Sequence, residues 1–248
     1  MLWYKAWRES RARFLIAAGA VTVFSIGSII QARASFPPPE YPMLPYTAFV
    51  WSTFFSPGRA AAFTFVALVF SLGGLRRERA TGTAAFTLAL PLSRGQLVRA
   101  RIVVGLLELA AIAAVPVIVV SFVSPVIAHK AYPFSQSIRY GTLFMSWGCV
   151  WFAIGFVWSV VFSAELTAAV ASVLSPLVYM VVYANVSRGG QRFFAANPFA
   201  MMSGGLDRSF RAPAFLSDPL PWREMLVLAI VTAVLLFGSW RATVRQDF

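Results

Sequence analysis

This sequence has few of the charged residues that cover the surface of a water-soluble protein. Of its 248 residues, 12% are charged and 59% are hydrophobic, and its mean hydropathy is +0.73. Soluble domains carry about 25% charged residues. A globule of this composition could not cover its surface with polar groups, so lipid must be the solvent for much of the chain.

Cysteine, histidine and lysine are almost absent, and each shortage excludes a kind of site. The single Cys149 excludes an intrachain disulfide and a cysteine-based metal site. The single His129 has no histidine or cysteine beside it, and we interpret it as a loop residue. Because Lys5 and Lys130 are the only lysines, the phosphate-binding run Gly-x-x-x-x-Gly-Lys does not occur. We expect this chain to bind no metal or cofactor and to have no catalytic residue.

Positive charge exceeds negative charge, with 21 lysines and arginines against 9 aspartates and glutamates. In a soluble protein this excess would indicate binding to nucleic acid. In a membrane protein, basic residues at helix ends fix the orientation and contact anionic lipid. We therefore expect membrane lipid as a partner, and no nucleic acid.

Six apolar segments are each long enough to cross a bilayer, which takes about 20 apolar residues in a helix. They cover residues 14–34, 54–75, 97–123, 138–162, 166–186 and 223–241. The sequence thus predicts an all-α membrane protein with six transmembrane helices, here called spans one to six, in a single domain over residues 1–248. Residues 32–34 resemble a signal cleavage site, but we interpret the first segment as a retained span.

The distribution of basic residues predicts the orientation. They are dense in three short regions, before span one, between spans two and three, and after span six, and sparser in the longer loops on the other side. Short loops rich in arginine and lysine stay in the cytoplasm. We therefore expect a multi-pass protein of the cell membrane with both termini in the cytoplasm.

Three segments outside the spans have distinct patterns. In residues 1–13, Trp3 and Trp7 share one helical face, which predicts an amphipathic helix lying in the membrane interface. The alternative is that these residues simply extend span one. Residues 35–53 and 187–222 are predicted outer loops, and the first contains three consecutive prolines that cannot be helical.

The cytoplasmic stretch 76–96 contains the most informative local pattern. Gly82 can end a helix, Thr83 can cap a new one, and Pro91 ends a short apolar helix over residues 84–90. Ser93 followed by Gln96 fits a capping box that opens span three. The short helix is too apolar to lie bare in the cytosol, so it must be buried. It could dock in a groove of a partner protein, or fold against this chain's own helix ends or the membrane surface.

This stretch resembles the coupling region of the ABC-2 permease family, in which a glutamate and Gly-Thr precede a short apolar helix and Pro-x-Ser-Arg. The matching positions are Glu78, Gly82, Thr83, Pro91, Ser93, Arg94 and Arg101. The family usually has lysine where Arg101 stands, and a leucine pair in place of Phe86 and Leu88. The resemblance otherwise rests on chain length, span number and the long loop before span six.

The resemblance implies the permease subunit of an ATP-driven exporter that forms its pathway as a dimer. Two such subunits, identical or homologous, would pair, and each would receive one ATP-binding subunit, which holds the ATP and Mg²⁺. The residues expected to couple this chain to the ATPase subunit are Glu78, Gly82, Thr83, Ala84, Phe86, Leu88, Leu90, Pro91, Ser93 and Arg94.

Glu108 is a carboxylate near the middle of span three, and a carboxylate at membrane depth is costly. It could line the transport pathway, pair with a polar group on a neighbouring helix, or be held protonated. Alternatively, it could form an interhelical hydrogen bond that fixes packing. Two other function classes remain open. One is a non-transporting membrane scaffold or assembly factor. The other, which the shortage of paired catalytic groups disfavours, is an intramembrane enzyme.

Overall fold

The computed structural model describes residues 2–35, 46–72, 93–162, 164–188 and 220–245. Every regular element in these residues is helical. The α-helices are α1 (Leu2–Ser35), α2 (Tyr46–Val50), α3 (Pro57–Ser71), α4 (Arg94–Ile118), α5 (Ser124–Ile127), α6 (Phe134–Val161), α7 (Glu165–Arg188) and α8 (Trp222–Arg245). Two π-helical turns, Trp51–Phe55 and Val119–Val123, join α2 to the start of span two and α4 to α5.

Helices in the described residues are long and apolar enough to cross a membrane in five places. These are Leu2–Arg33, Trp51–Ser71, Gly95–Ile127, Phe134–Val161 and Trp222–Arg245. They confirm an α-helical membrane protein and correspond to spans one, two, three, four and six. Span five corresponds to α7, which contains the shorter apolar stretch Leu166–Val182. Six crossings of the bilayer therefore stay a prediction.

The first helix differs from the expected division into an interfacial helix and a span. α1 runs without a break from Leu2 to Ser35 over 34 residues, which corresponds to roughly 50 Å of helix. The structure therefore agrees with the alternative interpretation, in which residues 2–13 extend the helix of span one. Helix continuity is favoured because residues 2–13 contain neither glycine nor proline. Whether its first turns lie at the membrane interface stays a prediction.

Part of the predicted outer loop 35–53 is helical in the structure. Residues 46–55 are helical, and an extended residue at Ser56 separates them from α3, which begins at Pro57. Tyr46, Val50 and Phe54 follow one another at intervals of four residues and are all buried. That spacing forms one helical face, and its burial favours a helix here. Residues 36–45, which include the prolines, lie outside the described part of the chain.

Helix α6 lies at the centre of the bundle and packs against α3, α4, α7 and α8. Two of its glycines allow α3 to come close. A Cβ atom on Gly155 would lie 2.0 Å from the Ser71 Oγ, and one on Gly148 would lie 2.5 Å from a ring carbon of Phe63. Small residues let transmembrane helices approach closely and gain dispersion energy. Helix α1 packs mainly against α4 instead.

Neutral groups hold the end of the bundle where span two begins. We call Tyr46, Phe55, Ser124, Tyr132 and Tyr140 the aromatic end. The Tyr46 hydroxyl is hydrogen-bonded to the Ser124 hydroxyl, and Ser124 donates to the Lys130 carbonyl at 2.8 Å. Phe55 stacks on Tyr140 with ring centroids 4.9 Å apart. Burial raises the pKa values of the Tyr46 and Tyr132 phenols, so both stay neutral at physiological pH.

Candidate functional site

Most residues of the predicted coupling site lie outside the described part of the chain. These are Glu78, Gly82, Thr83, Ala84, Phe86, Leu88, Leu90 and Pro91. The structure does describe the residues on both sides of that segment. Helix α3 ends at Ser71, with Leu72 extended after it, and helix α4 begins at Arg94. The site can therefore be followed from these two ends.

Ser93 opens α4 through the predicted capping box. Its hydroxyl accepts a hydrogen bond from the Gln96 backbone N–H at 3.3 Å, and the Gln96 side-chain oxygen accepts from the Ser93 N–H at 3.1 Å. Both bonds satisfy backbone donors that the first turn of a helix leaves unpaired. Arg94 is the first residue of the helix. The carboxyl-terminal end of the coupling segment is thus followed by a helix with a capped amino end.

Two arginines from different helices hold the other end of the segment, at Leu72. Arg13 of α1 donates through Nη1 to the Leu72 carbonyl at 2.7 Å and to the Val69 carbonyl at 3.0 Å. Arg101 of α4 donates to the same Leu72 carbonyl at 2.8 Å. Carbonyls at a helix carboxyl end lack intrahelical partners and carry partial negative charge, which guanidinium groups neutralise. Arg101 therefore connects α4 directly to the end of α3.

Glu108 lies two helical turns after Arg101 and connects α4 to α1. Its side chain is 3% exposed, and its Oε1 accepts a hydrogen bond from the Ser10 hydroxyl. Its Oε2 is also buried and has no hydrogen-bond partner among the described residues. An unpaired carboxylate oxygen in an apolar environment is costly. Glu108 is therefore a candidate for a functional role as well as for helix packing.

These contacts form one unit, which we call the three-helix cluster: Ser10, Arg13, Leu72, Arg101 and Glu108. Except for Leu72, its members line a common cavity of about 20 Å³ together with residues of α1, α3 and α4. The guanidinium groups of Arg13 and Arg101 act electrostatically on the Glu108 carboxyl. A movement of Leu72 would therefore reach α1 and α4 through short polar contacts.

Helix α8 reaches the same end of the bundle. A Cβ atom on Gly95 would lie 3.1 Å from the indole nitrogen of Trp240, so α8 lies close to the first turn of α4. The Arg99 guanidinium lies over the Trp240 ring, 5.5 Å from its centroid. Such a contact is a cation–π interaction. Span six therefore also contacts the start of span three.

The cluster offers a mechanical connection between three helices. Among the described residues, no group of three or more histidine, cysteine, aspartate or glutamate side chains lies close enough to hold a metal ion. Arg101 and Glu108 could be singled out from the sequence, whereas Ser10, Arg13 and Leu72 were not predicted as their partners. Ser10 and Arg13 share a helical face at a spacing of three, and Arg101 and Glu108 do so at a spacing of seven. Those spacings indicate two polar faces but not that the faces meet.

Comparison with known proteins gives one match over most of the chain. A family model described as "ABC-2 family transporter protein" matches residues 11–237. The matched range includes four of the five members of the three-helix cluster, all but Ser10. It also contains the whole segment between Leu72 and Ser93. No curated protein matches the chain.

Proposed function

The chain belongs to the ABC-2 family of transporter proteins, and from that premise we propose that it is the permease subunit of an ATP-driven exporter. In this proposal two permease subunits, identical or homologous, form the pathway as a dimer in the cell membrane. Each receives a separate ATP-binding subunit, which holds the ATP and Mg²⁺. Both termini lie in the cytoplasm, and α7 completes six spans.

The observation that carries this proposal is the attachment of segment 73–92 to three helices at once. The segment follows Leu72, whose carbonyl accepts hydrogen bonds from Arg13 and Arg101. It is followed by Ser93, the N-cap of the helix that contains Arg101. A force applied to this segment would reach α1, α3 and α4 together. An element that couples an ATPase to a transport pathway needs such a connection. Coupling requires a structural element whose position is affected both by the ATPase site and by the pathway.

The apolar residues of the segment supply the docking surface in this proposal. Ala84, Phe86, Leu88 and Leu90 would form a short helix that lies in a groove of the ATP-binding subunit. Glu78 and Arg94 lie at the two edges of that helix, where charged groups of a partner can meet them. Closure of the ATP-binding subunits would then move Leu72 and the start of α4.

Glu108 has a separate role in the proposal. Its buried and unpaired Oε2 and its bond to Ser10 place a carboxyl group between α1 and α4. We expect that carboxyl group to favour one relative position of the two helices, because a different position would change its exposure and its hydrogen-bond partners. Glu108 would then bias the transport cycle without contacting the ATP-binding subunit.

The docking assignment is tested by replacing the aromatic residue of the segment. We expect Phe86→Asp to abolish pull-down of the ATP-binding subunit, because a carboxylate cannot enter an apolar groove. The matched control is Phe210→Asp, in the predicted loop on the opposite side, which should pull down the ATP-binding subunit at wild-type yield. Normal recovery with Phe86→Asp in a folded protein would disprove the assignment.

Reconstitution separates an exporter from a scaffold that uses the same docking helix. Vesicles containing this chain and the ATP-binding subunit should hydrolyse ATP faster than the ATP-binding subunit alone, because a coupled permease completes the cycle. Phe86→Asp should remove the acceleration, and Phe210→Asp should not. Binding without any change in ATP hydrolysis would favour the scaffold.

A further inference from the structure

An apolar cleft lies between α1, α3, α4 and α6, displaced along these helices from the three-helix cluster. Its volume is about 240 Å³, and its walls include Phe24, Val66, Ile112 and Phe144. Apolar cavities of about 150 Å³ already stay dry and bind small hydrocarbons. Phe24 lies at the edge of the cleft and is 41% exposed, which shows that the cleft is open to the surroundings. In a membrane-spanning chain, the apolar molecule available to such a cleft is a lipid chain.

Arg59 is the charged residue at this cleft. It lies in the first turn of α3 and is exposed, and its guanidinium carbon is 4.3 Å from the centroid of the Phe24 ring. Its Nε donates to the Thr53 carbonyl at 2.8 Å, which fixes the orientation of the guanidinium group. Within the described ranges no carboxylate forms an ion pair with Arg59. The Arg59 guanidinium therefore belongs to the cleft lining and has no carboxylate partner among the described residues.

We propose that this cleft binds a phospholipid, with one acyl chain between α1, α3 and α4 and the headgroup phosphate on Arg59. Apolar walls suit the chain, and a guanidinium group pairs with phosphate oxygens through two parallel hydrogen bonds. The amino end of α3 adds positive potential at the same place. Arg59 lies at the cleft, so one amphipathic molecule can place its apolar chain in the cleft and its phosphate on the guanidinium group. The proposal does not depend on the ATP-binding subunit or on the direction of transport.

The test is native mass spectrometry of the purified protein with phosphatidylglycerol, and in a parallel arm with diacylglycerol that has the same chains. The wild type should retain one phosphatidylglycerol molecule. Ala62→Trp, which fills the cleft, should lower retention of both lipids about tenfold. Arg59→Gln should lower only phosphatidylglycerol retention about tenfold, the effect of losing a charged hydrogen bond.

Matched controls keep the comparison specific. Ala111→Trp adds the same side chain on an exposed face of α4 outside the cleft, and Arg139→Gln removes an arginine near the start of α6. Both should retain lipid like the wild type. If Ala62→Trp fails to fold by circular dichroism, Arg59→Gln alone decides the question.

Three results would overturn the proposal. One is equal phosphatidylglycerol retention by Arg59→Gln and Arg139→Gln. Another is loss of the retained lipid in millimolar inorganic phosphate, which would indicate a site for the free anion. The third is disulfide crosslinking between two copies through Ala62→Cys in a Cys149→Ala background, which would place a second copy at the cleft.

Discussion

The two ends of the helical bundle are held together by different chemistry. At the three-helix cluster, the Ser10 hydroxyl of α1 donates to the Glu108 carboxylate of α4, and one arginine from each of these helices donates to the Leu72 carbonyl at the end of α3. At the aromatic end, neutral hydroxyl groups and stacked rings join α2, the π-helical turn before α3, and α6. The aromatic end is buried throughout, whereas in the three-helix cluster Glu108 is buried and both arginines are half-buried, and only the cluster concentrates charge.

This difference separates a fixed end from an adjustable end. Stacked rings and a buried hydroxyl pair have one good arrangement, because moving them opens a cavity or leaves a polar group unsatisfied. Charged groups on long side chains can keep their contacts over small helix movements, since attraction between charges acts over several ångströms. The aromatic end is therefore expected to determine stability, and the three-helix cluster to determine coupling. Substitutions at each end can test this division.

The largest loss of stability should come from Phe55→Ala at the aromatic end. Phe55 is fully buried, and removing a buried phenylalanine ring costs about 3–5 kcal/mol. Thermal unfolding should occur at a clearly lower temperature, while ATP hydrolysis per folded molecule should stay at the wild-type rate. Phe65→Ala is the control, because Phe65 is 42% exposed. An unchanged unfolding temperature would mean that the aromatic end does not determine stability.

A smaller loss of stability, with a large loss of coupling, should follow from Arg101→Met. The methionine keeps an unbranched apolar side chain but cannot donate to the Leu72 carbonyl, and a hydrogen bond from a charged group contributes about 1.5–3 kcal/mol. Acceleration of ATP hydrolysis in reconstituted vesicles should fall severalfold. Arg99→Met, two residues earlier on α4, removes a contact with Trp240 instead. Equal losses in both variants would contradict a specific role of the Leu72 contact.

The smallest effect on stability should come from Glu108→Gln. Glutamine can still accept the hydrogen bond from Ser10, and it removes a charge whose burial is costly. We expect the amount of folded protein to stay near the wild-type level while transport-coupled ATP hydrolysis changes. Ser10→Ala is the companion variant, because it removes the bond and keeps the charge. Parallel loss of folded protein and of activity in Glu108→Gln would make Glu108 a packing residue.

Much of the fold could be predicted from the sequence because it follows from local pattern. Apolar length predicted the five helices that can cross a membrane, and Ser93 with Gln96 predicted the capping box that begins α4. The helix over residues 46–55 was missed, although Tyr46, Val50 and Phe54 carried its spacing. The close approach of α3 to α6 was missed too. Its signal was the seven-residue interval between Gly148 and Gly155.

The sequence by itself determined that this chain spans a membrane, and it located the apolar segment between spans two and three. Composition and length suffice for these conclusions, because a bilayer imposes the same requirement on every spanning helix. Only the tertiary structure decided that Arg13 and Arg101 share the Leu72 carbonyl and that Ser10 reaches Glu108. These pairs are 29 to 98 residues apart in the chain. Helical periodicity gives the face on which each residue lies, but the packing of the helices decides which faces meet.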